Sequence, residues 1–411
     1  MEKDVKYIFQ AMNILFHTYG KVCATAGGTE RATVSIATAL TRDHGCRCFS
    51  LYEVESDLQK ESCFVEEFHY QVNANWSDNI SRLRAILEQE KINVMIVQGS
   101  FIYVRYFAQA AFGLNCRVIL AHHFRPGAEE LFFTLRQHIK SRKECLTLRR
   151  KVSWLKNILF YPKYHKICVN TLKSSYREAY FAADNVVLLC HGFIDAFQRY
   201  GGFKDNRKFT IIPNPLSFED FLSPYDIDKK KKIVLIVARM DETYKRISLA
   251  LRIWKLLQDN QDTKDWELHI IGEGYSLNSY MDYVKRESIP GVKFLGRLNP
   301  IKNYKEASIF MMTSLSESWG LTLTEAQQYG VVPIAFNTYE SLPEIISNNQ
   351  NGIIVEEKDI HGYVRALHEL ITDDKRRYAL ACNAIESSRN FSQERICERW
   401  WNLLTGITNK T

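Results

Sequence analysis

An α/β protein built of two doubly wound, parallel-sheet domains is the fold class this sequence predicts, and three observations predict it. The chain has 411 residues, more than one hydrophobic core usually serves, so two domains of about 200 residues are expected. Short apolar runs alternate with helical patterns along its length, as parallel strands joined by crossover helices require. One interruption, Pro213-Asn214-Pro215 and the polar segment running to Lys229-Lys230-Lys231-Lys232, separates two such series.

The first series opens with a core strand at residues 13–16. A glycine-rich loop, Ala26-Gly27-Gly28-Thr29-Glu30-Arg31, follows and opens a helix that reaches about Leu40. Further strands are expected at 48–52, 94–98, 117–121, 166–169, 186–189 and 209–212. The second series places strands at 233–238, 269–272, 292–295, 309–312, 332–335 and 352–355. A helix over 392–407 closes the chain, with Ile396, Trp400, Trp401 and Leu404 forming an apolar stripe at helical spacing. The ligand cleft of such a protein is expected between the domains, at the strands' carboxyl ends.

Apolar residues at 46% and charged residues at 25% are ordinary globular values. The net charge of +7 suits anionic ligands or surfaces without selecting one. Ten cysteines occur without a C-x-x-C pair or Cys/His metal spacing, which fits reduced, mostly buried thiols of a cytosolic protein. No signal-peptide pattern is present, and no apolar run approaches the ~18 residues of a membrane span.

The most informative stretch is Ser314 to Ala326, S-L-S-E-S-W-G-L-T-L-T-E-A. Glu317 and Glu325 stand eight positions apart with Gly320 between them, after an apolar strand and before a helix that starts near Leu321. Glu317 is thus expected in the loop at a strand's carboxyl end, and Glu325 one turn into the helix, facing that loop. Amides near Gly320 and Leu321 lie at a helix N-terminus, which favours a phosphate. An anion cradle between two carboxylates suits a nucleotide-sugar, one carboxylate accepting from sugar hydroxyls and the other from a ribose diol.

Glu317, Trp319, Gly320, Leu321, Glu325 and Ala326 resemble, position by position, the E-x7-E motif of GT-B glycosyltransferases, above all the retaining family 4. Trp319 stands where an aromatic, usually Phe, is found. The resemblance implies two Rossmann-like domains facing a central cleft: residues 1–222 on the acceptor side and 223–391 binding the donor, with 392–411 crossing back onto the first. It implies that Arg239 and Lys245 grip the donor diphosphate, two cations against two charges. Gly274 in Gly272-Glu273-Gly274 and Leu295 in Phe294-Leu295-Gly296-Arg297 fall where the family's turn and nucleobase-contacting backbone lie. Gly27 and Gly28, in Gly-Gly-Thr-Glu-Arg, match the segment that brings a helix N-terminus to the ligand. A histidine after the strand at 117–121 faces the donor sugar in similar enzymes, and of His122 and His123 the first is the choice.

The implied reaction is sugar transfer with retention from a nucleotide-diphosphate-sugar to a hydroxyl of a glycan or polyprenyl-diphosphate-linked glycan, without cofactor or metal. A nucleotide-sugar epimerase of the same fold, which needs no acceptor, and a non-catalytic sugar-nucleotide-binding protein are the alternatives. Residues 139–166 hold nine Lys or Arg against one acidic residue, Glu144. Leu148, Val152, Leu155 and Leu159 fall there at helical spacing, which suits adsorption to an anionic membrane. The expected location is therefore cytoplasmic, at the inner face of the cell membrane. No nucleic-acid-binding module accompanies this charge. Met12 directly precedes the first core strand, so residues 1–11 are expected to be a dispensable extension.

Overall fold

The computed structural model of the protein describes residues 11–23, 27–56, 59–135, 139 and 148–409. Two compact units divide the chain, one running to Ile212 and taking up Cys397 onward, the other formed by Pro213–Ile396. The expected extension falls almost wholly outside the described residues, as does 140–147 of the basic stretch.

In the first unit, seven strands form one sheet in the order β3-β2-β1-β4-β5-β6-β7. They are β1 (Asn13–Gly20), β2 (Arg47–Val54), β3 (Phe64–His69), β4 (Val94–Val97), β5 (Arg117–His122), β6 (Asn185–Leu188) and β7 (Phe209–Ile211). Every pairing is parallel. The central strand β1 sets Leu15 against Phe49 on one side and Met95 on the other. All three are inaccessible to solvent, as expected where crossover helices cover both faces of a parallel sheet. The helix Gly28–His44 ends on Gly45, whose φ of 64° gives the left-handed turn that closes a helix C-terminus.

Two strand expectations need correction. Residues 166–169 are not a strand but part of the helix Tyr161–Ala182, which buries Leu172, Tyr176, Ala179 and Tyr180. That 3–4 residue apolar spacing outweighs the β-propensity of a four-residue run. Conversely, β3 went unforeseen. It is an edge strand, Phe-Val-Glu-Glu-Phe-His, with only Phe64 buried, so it lacks the apolar run of a central strand.

The second unit repeats the plan with six strands in the order β10-β9-β8-β11-β12-β13. These are β8 (Ile233–Val237), β9 (Glu267–Ile271), β10 (Val292–Gly296), β11 (Ile309–Met312), β12 (Val332–Asn337) and β13 (Ile353–Glu356). All pairings are again parallel. Chain order reverses between β8 and β11, and a crevice forms outside the carboxyl ends of strands at such a switch point.

The last helix, Gln393–Thr408, buries Ile396, Trp400 and Leu404. Trp401 stacks on His44 with ring centroids 4.2 Å apart. A cavity of about 650 Å³, lined by Met12, Asn93, Trp401 and Thr405 among others, lies at the amino ends of β1 and β4. It is on the opposite edge of the first sheet from the carboxyl ends, where doubly wound sheets take ligands.

Candidate functional site

The carboxyl ends of β8 and β11 are adjacent, and each delivers one charged side chain to the same place. β11 ends at Met312 and the chain enters the loop that carries Glu317. Gly320 closes that loop at φ 90°, a conformation L side chains rarely adopt, and caps the helix Leu321–Gln328. From β8 the chain passes Arg239 and makes a one-turn helix, Glu242–Lys245. The Lys245 ammonium donates to Glu317 Oε1 at 2.5 Å, with both side chains largely shielded from solvent.

Two glycines of the neighbouring turn shape the same edge. Gly272 and Gly274 take φ values of 138° and 152°. A Cβ on Gly272 would stand 1.9 Å from the Ala238 carbonyl oxygen, and one on Gly274 2.7 Å from that of Met240. Only glycine lets the β9 turn lie against the backbone that carries Arg239. Asp241 caps the one-turn helix, accepting from Thr243 N at 2.9 Å and from the Tyr275 hydroxyl at 2.5 Å. Arg239 keeps a loose 3.5 Å contact to Asp241 and exposes 69% of its side chain, so its charge faces solvent at this edge. Leu295 is half-buried at the end of β10, and the Gly296 carbonyl accepts from Gly272 N at 2.8 Å.

Glu325 sits differently from the expectation that it faces the loop. It is 1% exposed; its Oε1 accepts from Ser217 at 2.6 Å and its Oε2 from Tyr304 at 2.9 Å. Beside it Gln328 donates to the carbonyls of Phe218 and Asp220, and the Tyr329 hydroxyl donates to Asp220. Trp319 is turned into the core, 2% exposed and edge-on to Phe391 at 5.2 Å; Leu321 is buried as well.

The remaining named residues belong to the first unit. Gly27 precedes the helix Gly28–His44 with φ −70°, a value open to any residue, so its own backbone does not demand glycine. His122 ends β5 inside an aromatic cage of Phe101, Tyr176 and Phe197. Burial lowers its pKa to about 3, so its ring is neutral. The Tyr176 hydroxyl gives its proton to Glu129 at 2.7 Å, which leaves His122 Nε2 to donate to it at 3.3 Å. His123 instead joins a buried chain across the ends of β4 and β5. Gln98 links His123 Nε2 at 2.9 Å to the Thr33 hydroxyl at 2.8 Å, on the helix that the glycine pair opens.

The structure thus brings together Glu317, Lys245, Arg239, Gly274, Gly320 and Leu295 along one edge of the second sheet, and places His122, Gly27 and Gly28 in the other unit. Sequence reasoning missed Ser217, Tyr304, Asp241, Gln98 and Thr33. Ser217 lies 108 positions from Glu325, and no local pattern marks such a pairing. Among the described residues no group of three His, Cys, Asp or Glu stands ready for a metal ion. An Asp-x-Asp tripeptide does occur, Asp226-Ile227-Asp228, on a short turn; Ile227 is buried and Asp226 pairs with Lys229 at 2.5 Å.

Two all-parallel, doubly wound units are the plan of the GT-B fold, and comparisons with known proteins agree. Residues 217–387 match the family model described as glycosyl transferases group 1. An uncharacterized glycosyltransferase of Haemophilus influenzae is 22% identical over 390 residues, covering 92% of this chain and 97% of that protein. The GalNAc-alpha-(1->4)-GalNAc-alpha-(1->3)-diNAcBac-PP-undecaprenol alpha-1,4-N-acetyl-D-galactosaminyltransferase of Campylobacter jejuni is 24% identical over 397 residues, covering 93% and 96%. Anabaena Alr3699/HepE, solved in complex with UDP, shares the fold with a TM-score of 0.71 at 16% identity, over 96% of this chain and 100% of that one. The protein has the GT-B fold, and its relatives and the family match over residues 217–387 indicate a glycosyltransferase.

Proposed function

We propose that the protein moves a sugar, with retention, from a nucleotide-diphosphate-sugar to a hydroxyl of a glycan or polyprenyl-diphosphate-linked glycan in surface-polysaccharide synthesis. The observation that carries this reading is the Lys245–Glu317 pair at the switch point of the second sheet, with the exposed Arg239 beside it. Lys245 and Arg239 would neutralise the donor diphosphate, together with the amides at the start of the helix Leu321–Gln328. Glu317 would accept from hydroxyls of the transferred sugar. In the reaction the bond from the anomeric carbon to the diphosphate oxygen breaks, and the acceptor oxygen bonds to that carbon on the same face. The acceptor proton passes to the departing diphosphate. Fixed charges that stabilise the leaving group would carry most of the rate, and no metal is invoked.

The Campylobacter jejuni relative's name specifies an undecaprenol-diphosphate-linked glycan, and the HepE structure contains UDP, which support the acceptor and donor classes. Relatives named as transferases disfavour the epimerase and non-catalytic alternatives. Glu325, engaged by Ser217 and Tyr304, is proposed to reach the ribose only by exchanging one of those partners for a ribose hydroxyl. Of the two histidines, His122 is the proposed sugar contact and would reach a sugar only if its aromatic cage opened; His123 is buried as well, with Nε2 engaged by Gln98.

Contact with an anionic membrane is supported by the helix Leu148–Leu159 and the start of Tyr161–Ala182. Val152, Leu155, Leu159 and Phe160 are 52–70% exposed there, and Lys151, Lys156, Lys163 and Lys166 are exposed beside them. No helix among the described residues is long and apolar enough to cross a membrane. A thermal-shift screen of UDP-, GDP-, ADP- and CMP-sugars tests the donor reading. Stabilisation by one base is expected, and none by any of the four would refute it.

A further inference from the structure

Lys245 and Glu317 come from different loops, so something must hold those loops in register. The residue after Lys245 does this. Arg246 joins the one-turn helix Glu242–Lys245 to the helix Ile247–Leu257 and takes φ 48° and ψ 48°, the left-handed region that favours glycine. A joint alone would be filled better by glycine. The side chain explains the choice: its Nε donates to the Thr313 carbonyl at 2.8 Å and its Nη2 to the Ser314 carbonyl at 3.2 Å. These are the first two residues after β11, four and three positions before Glu317.

The grip is mutual. The Thr313 hydroxyl lies 3.0 Å from the carbonyls of both Lys245 and Arg246, and Leu315 N donates to the Tyr244 carbonyl at 2.7 Å. The guanidinium is mostly shielded, 5.7 Å over the Phe336 ring, with Glu357 at 3.8 Å as its nearest counter-charge. A planar fork can bond two successive carbonyls at once, whereas a lysine ammonium at the end of a flexible stem cannot hold both in fixed directions.

We propose that Arg246 is a positioning residue for the donor site, clasping the loop after β11 so that Glu317 and Lys245 address one bound nucleotide-sugar together. It touches no substrate; it fixes where the two groups that do so stand. This rests on the donor reading given above. A misplacement of about 1 Å in such a constellation lowers turnover roughly 100-fold.

Arg246→Gly separates the two roles of the residue, because glycine suits the left-handed joint while deleting the clasp. The variant should melt within a few degrees of the wild type, and its affinity for UDP, GDP or ADP, whichever the wild type prefers, should fall less than that of Lys245→Ala. Its kcat, read as release of that nucleoside diphosphate from the matching nucleotide-sugar, should fall at least tenfold, by the positional argument above. Arg246→Lys should be impaired too, and added guanidinium ion should restore part of the Arg246→Gly rate. Wild-type kcat in Arg246→Gly would overturn the proposal, as would a lower kcat matched by a lower melting temperature and no rescue. Lys245→Ala is the control: if it leaves nucleoside-diphosphate affinity unchanged, the donor reading itself fails, whatever Arg246 does.

Discussion

The Lys245 ammonium and the Glu317 carboxylate meet at 2.5 Å although 72 residues separate them in the chain. Each is the charged side chain of a loop leaving one of two adjacent parallel strands, on either side of the point where strand order reverses. Each neutralises the other, and a diphosphate with a sugar attached would offer each a new partner. Glu317→Gln keeps the shape and removes the charge. It is expected to lower kcat roughly 10–100-fold with little change in nucleoside-diphosphate affinity, since its partner in the complex is the transferred sugar. Steady-state kinetics alongside calorimetry checks this, and an equal loss in both would move Glu317 to the nucleotide.

Glu325 is as much a structural residue as a ligand one. Truncation to Ala removes the carboxylate that accepts from the half-buried Ser217 hydroxyl and from the buried Tyr304 hydroxyl. A cost of about 1–3 kcal/mol is expected, read as a melting temperature lower by several degrees. Glu325→Gln keeps an acceptor and should recover most of that stability. Unchanged melting in the Ala variant would mean that the two hydroxyl contacts contribute nothing.

Gly272→Ala tests the close approach of the β9 turn to the backbone before Arg239. Its Cβ would meet the Ala238 carbonyl oxygen at 1.9 Å, at a φ of 138°. Overpacking and strain together should cost about 3 kcal/mol or more. Denaturant unfolding gives the number, and a change below about 1 kcal/mol would show that the turn can move aside freely.

His122 makes the first unit sensitive to acid. Its folded-state pKa of about 3 lies below the 6.5 of the free side chain, because burial penalises the charged ring. The unfolded chain therefore binds the extra proton between those values. The stability from the neutral ring is complete above about 6.5 and falls as pH drops toward 3, by roughly 1.4 kcal/mol per pH unit once fully engaged. His122→Gln should flatten unfolding free energy between pH 6 and 4. The same slope in both proteins would assign the acid sensitivity to other groups.

The exposed ridge of Val152, Leu155, Leu159 and Phe160 predicts adsorption to vesicles containing anionic lipid. Reversing Lys151, Lys156 and Lys163 to Glu should release the protein, since each cation near such a surface contributes about 1 kcal/mol. Co-sedimentation at two salt concentrations reads this. Binding insensitive to both salt and reversal would remove the electrostatic account.

Much of this architecture was legible because it is written in short-range patterns. The alternation of apolar runs and helices gave both sheets, since central parallel strands such as β4 and β11 are apolar throughout. Edge strand β3 was not legible, because one of its faces meets solvent and its sequence reads as a polar loop. Glu317 and Lys245 could be picked out from a local motif, yet their pairing depends on which strands lie side by side. The inward turn of Trp319 and the engagement of Glu325 by Ser217 are tertiary facts, decided by packing that no window of sequence contains. His122 and His123 show the limit most plainly. They are adjacent in sequence, but one enters an aromatic cage and the other joins Gln98 and Thr33.

The central claim is that the edge formed by Arg239, Lys245 and Glu317 binds the diphosphate of a nucleotide-sugar. Isothermal titration of UDP, GDP and ADP into the wild type, Lys245→Ala and Arg239→Ala measures it most directly. The account predicts that one of the three binds the wild type, and that each substitution weakens it by about 1–3 kcal/mol, the range for a lost charge-assisted bond, at unchanged melting temperature. Equal affinity in all three proteins, or no binding of any of the three nucleotides to the wild type, would contradict it.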